Sequence, residues 1–309
     1  MVRLFVAVTD KSWFDQLSAS APHDEINFWQ PSGTTQFRAL QPGGLFLSKL
    51  HAPNHVIAGG GIFGHASITP LSLTWEAFGL KNGVSSRSEM RARIASYPRD
   101  PIALEDRRDP IIGSRILTQP FFSPRDLWLQ VPQSWSPNVV TGKGFNTEEH
   151  DGEYPWSAVR ERLIALSEIQ EGPTTGERFG KPTLIKPRLG KGAFRLTITD
   201  SYERRCAVSG ERTLPILDAA HIRAFEAGGE HTPSNGLLLR TDIHRLFDLG
   251  YVTVSPDGRF EVSSRLKADF DNGRHYYNLQ GTPVRPPQYR DAMPSAEALA
   301  WHHDHRHLR

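Results

Sequence analysis

Apolar and polar positions divide this 309-residue chain into two stretches of different rhythm. The first opens on the alternation of Met1 to Asp10 and continues in short runs cut by glycine: Gly44-Leu45-Phe46-Leu47-Ser48-Lys49-Leu50, Val56 to Ile68 through Gly59-Gly60-Gly61, Ile111 to Leu117, and Asp126 to Val131. Such runs predict strands. Two helices fall among them. Leu73 to Phe78 surrounds Trp75, and Ser86 to Tyr97 carries Met90 and Ile94 at helical spacing behind a Ser86/Glu89 capping box. Short strands closing around one or two helices predict a small curved sheet or barrel. Val139 to Tyr154 then turns polar, as a linker or long loop does. Beyond it Trp156, Val159, Leu163, Ile164 and Leu166 predict a helix of about three turns, ending at the break Glu171-Gly172-Pro173.

In the second stretch Thr213 to Ile222 reads as a strand ending near His221, bounded by Gly210 and Gly228-Gly229. Its expected hairpin partner is Arg205-Cys206-Ala207-Val208, turned by Ser209-Gly210. Gly236-Leu237-Leu238-Leu239-Arg240 is a further short run. Thr241 is placed to cap a helix whose Ile243, Leu246, Phe247 and Leu249 keep helical spacing until Gly250 stops it. The expected order is strand, strand, long loop, helix, and the whole chain is α+β.

Candidate chemistry lies in that second stretch, where His221, Asn235 and His244 follow one another at gaps of 14 and 9. Among 13 histidines such an order arises by chance, so the strand and helix contexts carry the weight. Phosphodiester hydrolysis needs a base to activate water and a divalent cation to absorb charge on the transferring phosphate. An imidazole with its ordinary pKa of about 6.5 is neutral near pH 7 and suits the base. His244 and Asp248 stand four apart on one helix face, within reach of a common ion.

Residues Tyr202 to Val254 resemble the HNH nuclease family, whose fold is a two-stranded hairpin and a helix around one metal, the ββα-metal unit. The resemblance implies His221 as general base, Asn235 as the residue that braces the loop, and His244 as the metal ligand on the helix. Many relatives place an acidic residue or histidine directly before the base, and here Ala220 stands there. Asp218 and Asp248 are the carboxylates left to serve as ligands. The implied ion is magnesium or manganese, while one imidazole with oxygen ligands also admits nickel, cobalt or zinc.

The chain is long enough for two domains, and 38% hydrophobic with 23% charged residues suits a soluble globular protein. The net charge of +2 is small, so any nucleic-acid surface must be a local patch. A single cysteine, Cys206, excludes an intramolecular disulfide and a paired Cys-x-x-Cys zinc staple, and reads as a small buried residue. No apolar run of about 18 residues and no signal-peptide pattern is present, which predicts a cytoplasmic protein without membrane contact.

The upstream words Gly43 to Leu50, Val56 to Phe63 and Ser72 to Phe78 resemble the PUA barrel superfamily, which includes the EVE, YTH and SRA domains. That implies a PUA-like curved β-barrel that reads a modified base, taking it into an aromatic pocket. Trp29, Phe63 and Trp75 are its expected walls, with Ser32 or Asn27 as a polar contact; Trp29 leads because Pro31 and Gly33 set it beside a loop. The expected division is a recognition domain over 1–145, a linker and helix over 146–180, and the nuclease over 181–309.

Gly176 to Arg205 gathers eight basic residues against three acidic ones, and Lys186, Arg188, Lys191 and Arg195 are its candidates for phosphate contact. The histidine-rich tail Trp301 to Arg309 reads as a frayed end outside the site. Together these features resemble modification-dependent restriction endonucleases, which cut double-stranded DNA containing 5-methylcytosine or 5-hydroxymethylcytosine. One metal site cuts one strand, so a homodimer is expected. The alternatives are an HNH nuclease of homing or toxin type, a non-catalytic binder of modified nucleic acid, and an RNA-directed enzyme.

Overall fold

Arg3–Thr9 forms strand β1, with Leu4 and Val6 buried in one hydrophobic cluster and Phe5 and Ala7 in another. A strand covered on both faces needs apolar residues throughout, which explains a nearly continuous run here. In the computed structural model, which describes residues 3–97, 109–171 and 189–308, the chain divides into two units, Met1–Arg188 and Leu189–Arg309. In the first unit β1 pairs in parallel with β3 (Leu45–Leu50) and antiparallel with β7 (Gly142–Asn146). With β2 (Glu25–Gln30), β4 (Val56–Pro70) and β5 (Ile111–Phe122) the sheet runs β2-β5-β4-β3-β1-β7, and the short β6 (Leu129–Gln130) pairs with the start of β4.

Gly59 and Gly60 let β4 lie this close to its neighbours. A Cβ on Gly59 would stand 2.5 Å from the Phe121 carbonyl, and one on Gly60 would strike the Phe46 carbonyl. Register slips between Gly60 and Ile62 and again between Phe63 and His65, and bulges of this kind bend a strand. The curvature is as expected; the closed barrel is not. Among the described residues β2 and β7 end the sheet without pairing to each other, because the parallel β1–β3 pair carries the order outward to β7, away from β2. The sheet is mixed and open.

Helices α1 (Lys11–Ala19), α2 (Leu71–Phe78), α3 (Arg87–Ala95) and α4 (His150–Glu171) complete this unit. Neither α1, which buries Trp13, Phe14 and Leu17, nor β2 was foreseen. At α3 the Ser86 hydroxyl accepts from the Glu89 amide at 3.1 Å, but the returning Glu89 carboxylate accepts from Ser85 instead of Ser86. The polar segment expected as a linker holds β7, an edge strand that buries only Phe145, so its alternation is nearly invisible in sequence. α4 starts before the predicted Trp156, and Trp156 and Val159 pack on Leu4, Val6 and Phe145.

The second unit runs α5 (Lys191–Ser201), β8 (Leu217–His221), β9 (Gly236–Arg240), α6 (Thr241–Asp248), β10 (Val252–Val254), β11 (Phe260–Val262), α7 (Arg265–Phe270), α8 (Arg274–Tyr277) and α9 (Ala296–His305). β8 pairs antiparallel with β9, from Leu217 opposite Arg240 to His221 opposite Gly236. That corrects the expected hairpin. Residues 205–208 instead form a turn in which the Gly210 amide donates to the Cys206 carbonyl, and the buried Cys206 Sγ accepts from the amides of Ser209 and Arg240. Thr241 is the first residue of α6, not its cap; the preceding Arg240 binds Asp242 of the first turn through Nε at 2.6 Å and Nη2 at 2.7 Å. One core, including Phe194, Ile198, Leu237, Leu239, Ile243 and Phe247, joins α5, the hairpin and α6.

Candidate active site

His221 ends β8, and its ring lies flat on Phe194 of α5, with centroids 4.0 Å apart and planes at 12°. Its Nε2 shares a hydrogen bond with His231 Nδ1 at 2.8 Å, and the His231 ring in turn stacks on exposed Phe225 at 5.0 Å. Burial, and then the neighbouring His231, His244 and Lys191, push the His221 imidazole down to about 4, against a smaller opposing pull from Glu226. A base must be neutral to accept a proton, and burial in this setting disfavours the charged ring.

Asn235 is 6% exposed and spends its amide on the loop that joins the two strands. Its Oδ1 accepts from the Arg223 amide, while Nδ2 donates to the carbonyls of Arg223 and Glu230, all at 2.9 Å. One side chain thus ties both ends of the loop that carries His231. The following residue has to be glycine on steric grounds: a Cβ on Gly236 would overlap the Ile198 side chain and stand 2.9 Å from Phe194 Cζ. The Asn-Gly pair therefore sets both the loop and the closeness of α5, the helix whose Phe194 supports His221.

His244 on α6 lies between two carboxylates, with Asp218 Oδ2 3.6 Å from Nδ1 and Asp248 Oδ2 3.4 Å from Nε2. The His244 hydrogen bond, opposed by burial and aided by the charges of His244 and Arg195, holds Asp218 below the usual carboxylate range. The two carboxylates approach opposite ring nitrogens, so among the described residues no three such side chains converge on one point. The donor set nevertheless fits a hard divalent cation. Such an ion accepts one imidazole or one or two carboxylates and fills its remaining positions with water and phosphate oxygens. Ala220 is fully buried in the core, so no ligand comes from its position.

His221, His231, His244, Asp218 and Asp248 line one cleft of about 770 Å³. Lys191 and Arg195, four residues apart on α5, line it too; Lys186 and Arg188 lie outside the described residues. His231 has no place in the spacing of the motif residues, and its only signal in the sequence is a histidine within the loop between them. The tail expected to fray is folded. α9 is an ordered helix capped by Ser295, and Trp301, His302 and Arg306 face the cleft. His302 is 3% exposed, stacks on Phe247 at 3.6 Å, and makes hydrogen bonds with the Thr253 hydroxyl and the Phe247 carbonyl.

The residues expected to form a base pocket upstream are not gathered into one. Trp29 sits within β2, donates to the Asn82 carbonyl at 2.9 Å, and packs with Trp75 around Leu71, Val84, Met90, Ile94 and Ile112. Phe63 belongs to a separate cluster with Phe28, Phe37 and Phe46. Asn27 is fully buried and donates to Asn82 and Ser114, and the Ser32 hydroxyl pairs with Thr34 at 2.7 Å. Pro31 and Gly33 end the strand only after Gln30, which leaves Trp29 inside it.

No helix among the described residues is long and apolar enough to cross a membrane. No curated protein is significantly similar to the chain in sequence. A solved structure of the modification-dependent restriction endonuclease TagI is 11% identical, with 96% of this chain and 79% of that chain covered at a TM-score of 0.27. Residues 206–255, which span the hairpin, Asn235 and α6, match the HNH_2 family, described as HNH endonuclease. The downstream unit therefore contains an HNH endonuclease domain.

Proposed function

We propose that this protein cuts DNA by metal-assisted phosphodiester hydrolysis in the downstream cleft, directed by the upstream unit to DNA carrying 5-methylcytosine or 5-hydroxymethylcytosine. The observation that carries the catalytic part is the meeting of His221, neutral and held flat on Phe194, with His244 and its two carboxylates in one cleft. His221 takes a proton from the attacking water. Asn235 keeps the loop closed beside it, and Lys191 and Arg195 bind the flanking phosphates. His244 with Asp218 or Asp248 would hold the cation, magnesium or manganese by donor type. When bound, such a cation supplies positive charge for the leaving oxygen. The base-reading part rests on the resemblance of the upstream strands to modified-base readers. One cleft cuts one strand, so a double-strand break takes a homodimer or two visits.

A digestion panel tests both parts. Plasmids carrying cytosine, methylcytosine or hydroxymethylcytosine are incubated with magnesium, manganese, cobalt or nickel. Cleavage of the modified DNA alone is expected. Equal digestion of all three would reject the base-reading part, and no digestion under any ion would reject the catalytic part.

A further inference from the structure

His221 has two ring nitrogens, and its packing engages one of them. Nε2 shares the 2.8 Å hydrogen bond with His231 Nδ1. Among the described residues Nδ1 of His221 makes no hydrogen bond, and it is open to solvent rather than buried. The stack on Phe194, at 4.0 Å and 12°, covers a ring face and leaves both nitrogens at the ring edge. His231 is held as firmly. Its ring lies parallel to Phe225, with planes at 9°, and the Glu230 carbonyl beside it accepts from Asn235 Nδ2 at 2.9 Å. Both imidazoles line the cleft, together with Lys191, Glu226 and His244.

The direction of the bond between the two rings decides which nitrogen can react. A neutral imidazole carries one N–H and one lone pair. Were His231 the donor, the Nε2 lone pair of His221 would be spent in the bond, Nδ1 would hold the proton, and the ring could accept nothing from water. With His221 as donor, Nε2 carries the proton and Nδ1 keeps its lone pair at the open edge. We propose that His231 is a positioning residue whose Nδ1 accepts from His221 Nε2, fixing the tautomer in which Nδ1 of His221 takes the proton from water. This rests on the reading of His221 as the base. A base whose other nitrogen is tied to a third group has its ring orientation and tautomer set by that group. In the step itself the water proton passes to Nδ1 while the water oxygen forms its bond to phosphorus. The bond from phosphorus to the leaving oxygen breaks with its electron pair, and His221 ends as an imidazolium that still donates from Nε2 to His231.

Two readouts on the full chain test this. Nitrogen-15 NMR of the histidine-labelled wild type at about pH 8, where an imidazole is neutral, is expected to show His221 protonated at Nε2 and bare at Nδ1. The opposite tautomer overturns the proposal. Single-turnover cleavage of DNA that the wild type cuts then compares His231→Asn with His231→Phe. Asparagine sets its Oδ1 acceptor where Nδ1 stood and loses the ring stack on Phe225; phenylalanine keeps the ring and the stack and accepts nothing. His231→Asn is expected to cut within about threefold of the wild-type rate and His231→Phe about tenfold more slowly, the scale of one buried hydrogen bond, with DNA affinity unchanged in both. Equal rates in the two variants, or the reverse order, would show that ring packing alone matters and overturn the assignment. The tautomer of the wild type decides the matter if either variant does not fold. Undiminished cleavage by His221→Ala would overturn the underlying reading and this assignment with it, and that variant alone reports it.

Discussion

At the scale of single residues, the surroundings of His221 determine its chemistry. A ring stacked on Phe194 and bonded to a second imidazole is hard to protonate, which is why its value falls to about 4. A titration of the ring proton by NMR should therefore place His221 near that value. In His231→Ala the midpoint should rise toward about 6.5, the ordinary value, because both burial and the nearby imidazole lower it now. A midpoint unmoved by that substitution would show that His231 does not influence the His221 ring. The sequence singles out His221, Asn235 and His244 by their spacing, and the structure sets His221 and His244 on one cleft with Asn235 bonded within the loop between the strands. His231 follows no such spacing rule, and its role as partner emerges only when the loop folds back. The surroundings of Arg115 were equally hidden, since nothing in Ser114-Arg115-Ile116 indicates that Phe5, Phe28 and Phe37 will stand around its guanidinium.

Among the elements, the loop between β8 and β9 depends on one amide. Asn235→Ala would leave the Arg223 amide and the carbonyls of Arg223 and Glu230 without their partner, and should destabilise the downstream unit by about 2 kcal/mol. Chemical denaturation would measure that loss, and cleavage should fall with it as the loop opens. α9 supplies a second prediction. His302 is buried neutral, held down to about 4 by burial first, with only the Phe247 carbonyl opposing. The unfolded chain binds a proton as pH falls below about 6.5 while the folded one resists until near 4, so stability is full above that range and declines as pH drops through it. His302→Gln keeps hydrogen-bonding capacity without titrating, and its denaturation midpoint should fall less between about pH 7 and pH 5. An unchanged slope would contradict the buried-neutral assignment. The helices and β8 could be read from periodicity and glycine punctuation. The hairpin partner could not, because Cys206-Ala207 is apolar and near in sequence, whereas the true partner follows a long loop whose closure depends on the Asn235 side chain.

For the whole molecule, the chain divides into the units Met1–Arg188 and Leu189–Arg309, whereas the change of rhythm along the sequence suggests boundaries after 145 and 180. The order of the upstream strands was not legible. Parallel pairing of β1 with β3 and the polar edge strand β7 leave no trace in local patterns, and they are what open the sheet. Lys191 and Arg195 line the cleft from α5, so Lys191→Ala and Arg195→Ala should weaken binding to all DNA sequences alike and flatten its salt dependence. Sequence-selective loss would count against a phosphate role. Hydrolysis of the DNA backbone in this cleft with His221 as base is tested by single-turnover cleavage of the same bound DNA by the wild type and by His221→Ala. The variant is expected to bind as the wild type does and to cut at a rate lower by about a hundredfold or more, the usual contribution of a positioned base. Undiminished cleavage by His221→Ala would contradict that role for His221.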